Sequence, residues 1–318
     1  MKSTQDQKAL HASRQREVDE FEKYFSEFLS SINCEVDRVD IGCPKCGKKN
    51  NTLFSKNGGQ YSHCNDCNIV YLNNYFVSDI LNKFYINYPS NTQSWHEKEI
   101  DFYKNIFTAG STMIEEFCNQ SQIDVLDIGC STGLFLKVFS DVSTIRAKTF
   151  GIEPNIKESN FALSQGINII GSSIGEVNRS FDVITLWDVL EHIPDPIAYI
   201  KNIKANLKPG GLLFIQIPTC DSLSARVLRE HCNMFDGIEH LTLFGIRGIQ
   251  ETLEFCGFEI LKIRTVIDDS FAITNYMNYD NPYNPQYTSH SKINDLFSSD
   301  IILENNLGYK IQVVSRVK

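Results

Sequence analysis

Cysteine, aspartate, glutamate and histidine supply the spacings in this chain that could support chemistry. Cys43-x2-Cys46 is followed, after 17 residues, by Cys64-x2-Cys67. Two such turns present four thiolates that can converge on one tetrahedral ion, so a zinc ion is expected at Cys43, Cys46, Cys64 and Cys67. Four protein ligands close the coordination sphere to water, which makes the expected role structural. Gly47 and Asn68 each follow the second cysteine of a pair and suit the left-handed backbone that lets amides approach sulfur. Ten cysteines in all would suggest disulfides in a small exported chain, but the remaining six are scattered, most of them beside apolar residues where a reduced thiol packs.

A second constellation begins where the apolar run VLDIG meets Cys130-Ser131-Thr132-Gly133 and then the helix-like LFLKVF. Asp127, Gly129 and Gly133 therefore stand at a strand-to-helix turn. Two glycines there admit a ligand close to the backbone, and a helix N-terminus offers free amides. Ser131 occupies the place of the second glycine of a nicotinamide dinucleotide fingerprint, so that cofactor is not expected. Glu153 ends the next apolar run, 24 residues after Gly129, where a carboxylate can accept both hydroxyls of a ribose.

These groups need a scaffold, and the length allows one. At roughly 150 residues per domain, 318 residues correspond to two domains or to one large domain with an appendage. The runs IDVLDIG, TFGIEP, INIIG, FDVITLW and GGLLFIQIP are spaced by helical segments, the signature of a mostly parallel sheet covered on both faces. The runs 258–267 and 308–317 lack that rhythm and are expected to pair antiparallel. The fold class read from this is α/β: a doubly wound, Rossmann-like sheet of seven strands with the last antiparallel, preceded by a zinc ribbon and a helical bridge. The expected boundaries are 1–36 for an N-terminal helix, 37–75 for the ribbon, 76–120 for the bridge or lid, and 121–318 for the sheet domain. Val18, Phe21, Phe25, Phe28 and Ile32 fall on one helical face. That face reads as docked on its own domain, with a homodimer contact as the alternative. Tyr85 and Tyr88 of the bridge read as packing residues, with closure over a substrate as the alternative.

The formal charge of −9 and a pI near 5.3 argue against a protein that coats nucleic acid, because phosphate neutralisation needs a basic surface. No window approaches the 18 or so apolar residues of a membrane span. The N-terminus lacks the apolar core of a signal peptide, so a cytoplasmic protein is expected.

Taken together, VLDIGCSTGLF, GIEP, FDVITLWDVLEHIPDP, LKPGGLLFIQIP and EHLTLFGIRGIQETLEFCGFEI resemble the motifs of the class I S-adenosylmethionine-dependent methyltransferases across residues 121–318. The resemblance implies that Asp127, Gly129, Cys130 and Gly133 frame the methionine end of that cofactor. It further implies that Glu153 holds the ribose, Ser172 lies near the adenine, and Trp187 and Asp188 line the pocket floor. Ser131 replaces a common glycine of the motif, which ordinary backbone angles would tolerate. The front end, CPKCG with HCNDCNIVYLN, looks like the zinc ribbon of methyltransferases of sugar and surface-polysaccharide biosynthesis. It implies a small-molecule acceptor such as a sugar, a nucleotide-linked sugar or a glycan precursor. Of that group's sugar-side pattern, Glu239 and His240 are present and the preceding Tyr-His is absent, which leaves the methylated atom open.

An acceptor that loses a proton benefits from a base, and His240 and His192, each preceded by a glutamate, are the candidates because histidine titrates near neutral pH. Glu239 accompanies His240 in that role. Asp188, Glu191 and His192 fall at i, i+3 and i+4, and a metal on a shared helical face is the alternative reading of them. Two rival functions remain: an RNA methyltransferase that uses the ribbon as a grip, and a silent binding or scaffold protein that kept the fold.

Overall fold

A computed structural model describes residues 15–32, 37–87, 92–277, 282–283 and 298–318. In chain order, helix α1 (Gln15–Ser31) precedes strands β1 (Arg38–Asp40), β2 (Thr52–Lys56), β3 (Gly59–Cys64), β4 (Ile69–Leu72) and β5 (Asn74–Phe76). Helices α2 (Ser78–Asn87), α3 (Thr92–Lys98) and α4 (Ile100–Glu115) follow. An alternating stretch comes next: β6 (Gln122–Ile128), α5 (Leu134–Val142), β7 (Arg146–Ile152), α6 (Ile156–Ser164), β8 (Ile169–Gly171), β9 (Phe181–Trp187), α7 (Pro196–Ala205) and β10 (Leu207–Pro218). The chain ends through α8 (Leu223–Leu228), β11 (Thr242–Phe244), α9 (Ile246–Phe255), β12 (Phe258–Val266), α10 (Ser270–Tyr276), α11 (Ser299–Glu304) and β13 (Lys310–Val317).

Two compact units divide these elements. The first comprises Met1–Pro89, Pro218–Gly248 and Arg264–Ile311; the second comprises Ser90–Ile217, Ile249–Ile263 and Gln312–Lys318. Parts of the stretch 121–318 thus cluster with the N-terminal segment.

In the second unit the strand order is β12-β13-β10-β9-β6-β7-β8. The pairs β10·β9, β9·β6, β6·β7 and β7·β8 are parallel. β9 is buried along its whole length, as a central parallel strand covered on both faces must be. From β6 the chain winds one way through β7 and β8 and then returns to place β9 on the other side, so a topological switch lies between β6 and β9, where such sheets bind ligands. β13 inserts between β10 and β12. Gln312 bonds to Gln216 and Ser315 to Leu213, the opposed pairing of an antiparallel strand.

An aromatic cluster holds this unit together beside the switch. The Trp187 ring lies 4.8 Å from Phe107, 4.9 Å from Phe135 and 4.6 Å from Phe214. Gly110 of α4 lets the helix approach that ring, because a Cβ there would lie 2.4 Å from Trp187 Cη2.

In the first unit, the four-stranded antiparallel sheet runs β11-β4-β3-β2. β11, about 170 residues beyond β4 in the chain, pairs Thr242 with Tyr71 and Phe244 with Ile69. Phe28 is buried in this unit's core with Tyr61, Leu72, Phe76 and Phe84, and Phe25 and Ile32 pack against it. The α1 face therefore docks on its own unit. The side chains of Val18, Phe21 and Tyr85, and all of Tyr88 and Cys34, lie outside the described residues. Among the described residues no helix is long and apolar enough to cross a membrane.

Gly110→Ala gives a stability prediction whose sign is set by packing. In an exposed helix interior the change would stabilise by about 1 kcal/mol. Here the methyl must displace the Trp187 ring, so urea denaturation should show a loss of about 1–3 kcal/mol, the usual effect of overpacking.

Candidate functional site

The loop from β6 to α5 is a chain of unusual backbone conformations. Gly129, Ser131 and Gly133 have φ of +70°, +48° and +76°. A Cβ at Gly129 would lie 2.7 Å from Val189 Cγ2, and one at Gly133 would lie 2.4 Å from Ile167 Cγ1. Angle and space therefore both require glycine at these two positions. The ordinary backbone angles that would tolerate serine in place of the motif's glycine are not found at Ser131: this residue is left-handed, at a cost of roughly 1–2 kcal/mol for a residue with a Cβ. Two hydrogen bonds offset the cost. Ser131 N donates to Glu153 Oε2 at 2.8 Å, and Ser131 Oγ donates to Glu158 Oε2 at 3.0 Å.

Those bonds tie the loop to the end of β7. The Gly129 and Cys130 amides donate to Ile152 O at 2.9 and 3.0 Å, and Glu153 is the next residue. Its other oxygen accepts from Asn155 N at 2.7 Å. Burial pushes the Glu153 carboxyl above its usual range, against the pull of the Asn155 and Ser131 amides. Asp127, at the end of β6, lies opposite Thr185 of β9 and accepts its hydroxyl at 2.6 Å. Burial pushes Asp127 up to about 8, with the Thr185 bond opposing and Glu153 adding to the rise. Burial likewise pushes the Cys130 thiol far up.

The structure thus brings Asp127, Gly129, Cys130, Gly133 and Glu153 together at the switch point. At the end of β9, Trp187 Nε1 is a buried donor without an acceptor among the described residues. Asp188 is left-handed, with φ +57°, and its carboxylate accepts from Gln216 Nε2 at 3.3 Å. Ser172 is exposed and donates from N and Oγ to Glu176 at 2.8 and 2.9 Å.

Two residues of this region escaped the sequence reading. Glu158 is buried and holds Ser131; its signal was the capping pattern Asn155-x-x-Glu158, in which Asn155 caps α6 through the Lys157 and Glu158 amides. His96 of α3 is buried with Nδ1 2.7 Å from Thr132 Oγ1. Its ring meets Tyr103 edge-on at 4.4 Å. Nothing local marks that histidine.

Asp188, Glu191 and His192 do not share a helical face. Only Leu190–His192 forms a short 3₁₀ turn, and Asp188 lies outside it with its carboxylate on Gln216. His192 Nε2 is 3.9 Å from Glu191 Oε1, too far for a hydrogen bond.

In the first unit, His240 is fixed by its own loop. Nδ1 lies 2.6 Å from Met234 O and 3.0 Å from Asp236 Oδ2. A carbonyl oxygen only accepts, so Nδ1 carries the proton and Nε2 is the basic nitrogen of the neutral ring. Asp236 Oδ1 accepts from the Ile238 and Glu239 amides at 2.7 and 2.8 Å. Burial opposes the Asp236 charge, yet the His240 ring and these amides hold its carboxyl at about 2. Glu239 is pushed up to about 7 by burial and by the nearby Asp236.

The four cysteine sulfurs lie within 4.8 Å of one another. Tetrahedral Zn–S bonds of about 2.3 Å require sulfurs about 3.8 Å apart, and Cys46 and Cys64 are 3.7 Å apart. Gly47 and Asn68 have φ of +73° and +52°, as their places in the sequence predict. Gly47 N donates to Cys43 O and Cys43 N to Lys48 O, closing the first turn. Burial pushes the Cys43 thiol up to about 11 and Cys67 higher still. Cys43, Cys64 and Cys67 are buried and Cys46 is exposed; thiols in this arrangement suit a divalent metal, which replaces their protons. Stripping metal with a chelator should therefore cost β2–β4 their protection from hydrogen exchange, and zinc added back in equimolar amount should restore it.

Residues 103–263, half of the chain, match the family model described as a methyltransferase domain. The chain is 30% identical over 136 residues to the ubiquinone biosynthesis O-methyltransferase of Parvibaculum lavamentivorans, covering 41% of this chain and 51% of that one. It is 28% identical over 142 residues to the Haemophilus ducreyi protein of the same name, covering 41% and 58%. The chain thus spans about half the length of the curated relatives it matches. These relatives are named for ubiquinone biosynthesis, whereas the ribbon's likeness pointed to sugar enzymes. A solved structure of magnesium protoporphyrin IX methyltransferase from Synechocystis with bound SAH aligns with a TM-score of 0.47 and 13% identity, covering 68% of this chain and 84% of that one. With the family model matched over half its length and the glycine turn and acidic strand ends on the page, the chain belongs to the methyltransferase-domain family.

Proposed function

We propose that this protein transfers the methyl group of S-adenosylmethionine to a hydroxyl of a small-molecule acceptor. The observation that carries the reading is the cluster at the switch point: two buried carboxylates, Asp127 and Glu153, around a loop whose glycines exclude any Cβ. A ribose hydroxyl pair suits Glu153, whose oxygens each retain a lone pair after accepting one amide. Asp127 suits the cationic end of the ligand, because it is a buried carboxyl that accepts the Thr185 hydroxyl and has no cationic partner among the described residues. Cys130, with Gly129 and Gly133, gives the close backbone approach; Ser172 is the adenine-side residue, and Trp187 with Asp188 forms the floor.

When bound, the cofactor supplies a sulfonium-activated methyl that an acceptor oxygen displaces in line. The chain's own part is to orient, which in favourable cases accounts for about 7–11 kcal/mol of barrier, and to take the proton. His240 is the base in this reading, since Nδ1 is committed to Met234 O and Asp236 stands ready to stabilise the imidazolium. Glu239 adds a second proton-accepting group on the same turn. His192, whose Nε2 is 3.9 Å from Glu191 Oε1, is the second candidate. The zinc is structural.

For the acceptor, the likeness of the ribbon supports a sugar, a nucleotide-linked sugar or a glycan precursor. The names of the relatives favour a second reading, a hydroxyl on an aromatic ring. Transfer from radiolabelled S-adenosylmethionine to nucleotide sugars and to catechols, run side by side, separates the two. The charge of −9 argues against RNA as the acceptor.

Calorimetric titration with S-adenosylmethionine tests the core of the proposal. Glu153→Ala removes a charged acceptor and should weaken binding by about 1.5–3 kcal/mol, roughly 10- to 150-fold; unchanged affinity would remove Glu153 from the ribose. The same titration has a pH signature. With its carboxyl at about 8, Asp127 is mostly protonated in the free protein at pH 7, and a bound cation favours the carboxylate. Binding should therefore release a proton, seen as a heat that depends on the buffer's ionisation enthalpy. Affinity should rise with pH up to about 8 and then level off.

A further inference from the structure

We infer that Tyr61 of β3 is a positioning residue for His240, its hydroxyl holding the loop 234–240 in the shape that fixes the ring's tautomer. The functional meaning rests on the reading of His240 as the base, while the geometric claim can be tested without it.

Tyr61 is fully buried. Its hydroxyl accepts from Gly237 N at 3.0 Å and donates to His240 O at 3.3 Å. One oxygen thus joins the two flanks of the turn that carries Glu239. The ring is set by Phe54 and Phe235, with centroids at 5.5 and 5.1 Å. A buried amide needs a partner, and the Gly237 amide finds it in the same side chain that bonds the His240 carbonyl.

The turn of the β2–β3 hairpin and strand β1 both reinforce this contact. Asn57 Nδ2 donates to Asp236 O at 2.9 Å, and Arg38 Nη2 donates to Gly237 O at 3.1 Å. The backbones meet so closely that a Cβ on Gly237 would lie 2.0 Å from Lys56 O, and one on Gly59 would lie 2.5 Å from Gly237 O. Asp236, placed by these contacts, receives the Ile238 and Glu239 amides and faces the His240 ring. The Nδ1 proton then lies between Met234 O and Asp236. Loosening the turn at Gly237 and His240 releases the carbonyl and the carboxylate that select this tautomer.

The test is nitrogen NMR at pH 8 on full-length, zinc-loaded protein with ¹⁵N-labelled histidine, the His240 signals being assigned by their loss in His240→Gln. Wild type should show a single neutral tautomer, with Nδ1 protonated and Nε2 bare. Tyr61→Phe keeps the ring and removes only the oxygen; its His240 signals should move toward the average of the two tautomers, with the S-adenosylmethionine Kd within twofold of wild type. Asn57→Gly keeps a residue suited to the left-handed angle of +50° and removes only the bond to Asp236 O; it should shift the signals partway in the same direction. A folded Tyr61→Phe protein with the wild-type signature overturns the inference. If Tyr61→Phe does not fold, a wild-type signature in Asn57→Gly overturns it instead. The base reading falls separately, if His240→Gln transfers label from S-adenosylmethionine at the wild-type rate.

Discussion

The burial of two carboxylates at adjacent strand ends is the constraint on which this molecule turns. Asp127 and Glu153 have no cationic partner among the described residues, and burial raises both. Left ionised without compensation, such groups cost several kcal/mol each. The fold answers with dipoles in place of charges: the Thr185 hydroxyl for Asp127, and the Ser131 and Asn155 amides for Glu153. Bringing the Ser131 amide to Glu153 requires a left-handed serine between two left-handed glycines. The strain in the loop and the burial of the acids are therefore two sides of one arrangement. What it lacks, among the described residues, is positive charge.

The same economy explains why the aromatic cluster sits where it does. Trp187 closes β9 one residue before the left-handed Asp188, and its ring is walled by Phe107, Phe135 and Phe214. Gly110 lets the backbone of α4 close on the indole, where a Cβ would lie 2.4 Å from Trp187 Cη2. A rigid apolar wall beside polar strand ends is the usual make-up of a small-molecule site, in which few polar groups set orientation and the apolar lining supplies contact.

In the first unit the ribbon is more than a module set before the sheet domain. β11 lies in the segment matched as a methyltransferase domain, yet it completes the ribbon's sheet by pairing with β4. Asn68, directly after the last cysteine, donates to Asp221, whose carboxylate also receives Ile246 N. Arg247 donates to the carbonyls of Asn65 and Asp66 within the second cysteine turn. The cysteine turns, the sheet and the Asp236–His240 turn are thereby parts of one hydrogen-bonded body.

Features decided by near neighbours in the chain were legible in the residues alone. The cysteine spacing predicted the sulfur cluster, and Gly47 and Asn68 adopt the expected left-handed angles because that preference is local. The apolar runs marked the parallel strands, and Asp127, Gly129, Gly133 and Glu153 met at the strand ends because strand termini are fixed by pattern. Tertiary structure alone decided the rest. The backbone of Ser131 is bent by partners 22 and 27 residues away, against its own preference. Asp188 stands off the helical face of the alternative reading, its carboxylate bonded to Gln216, 28 residues on. The tautomer of His240 follows from a turn held by Tyr61, 179 residues earlier. Local conformational energy is written in adjacent residues, whereas pairing across such separations leaves no periodic trace and emerges only when the chain has packed.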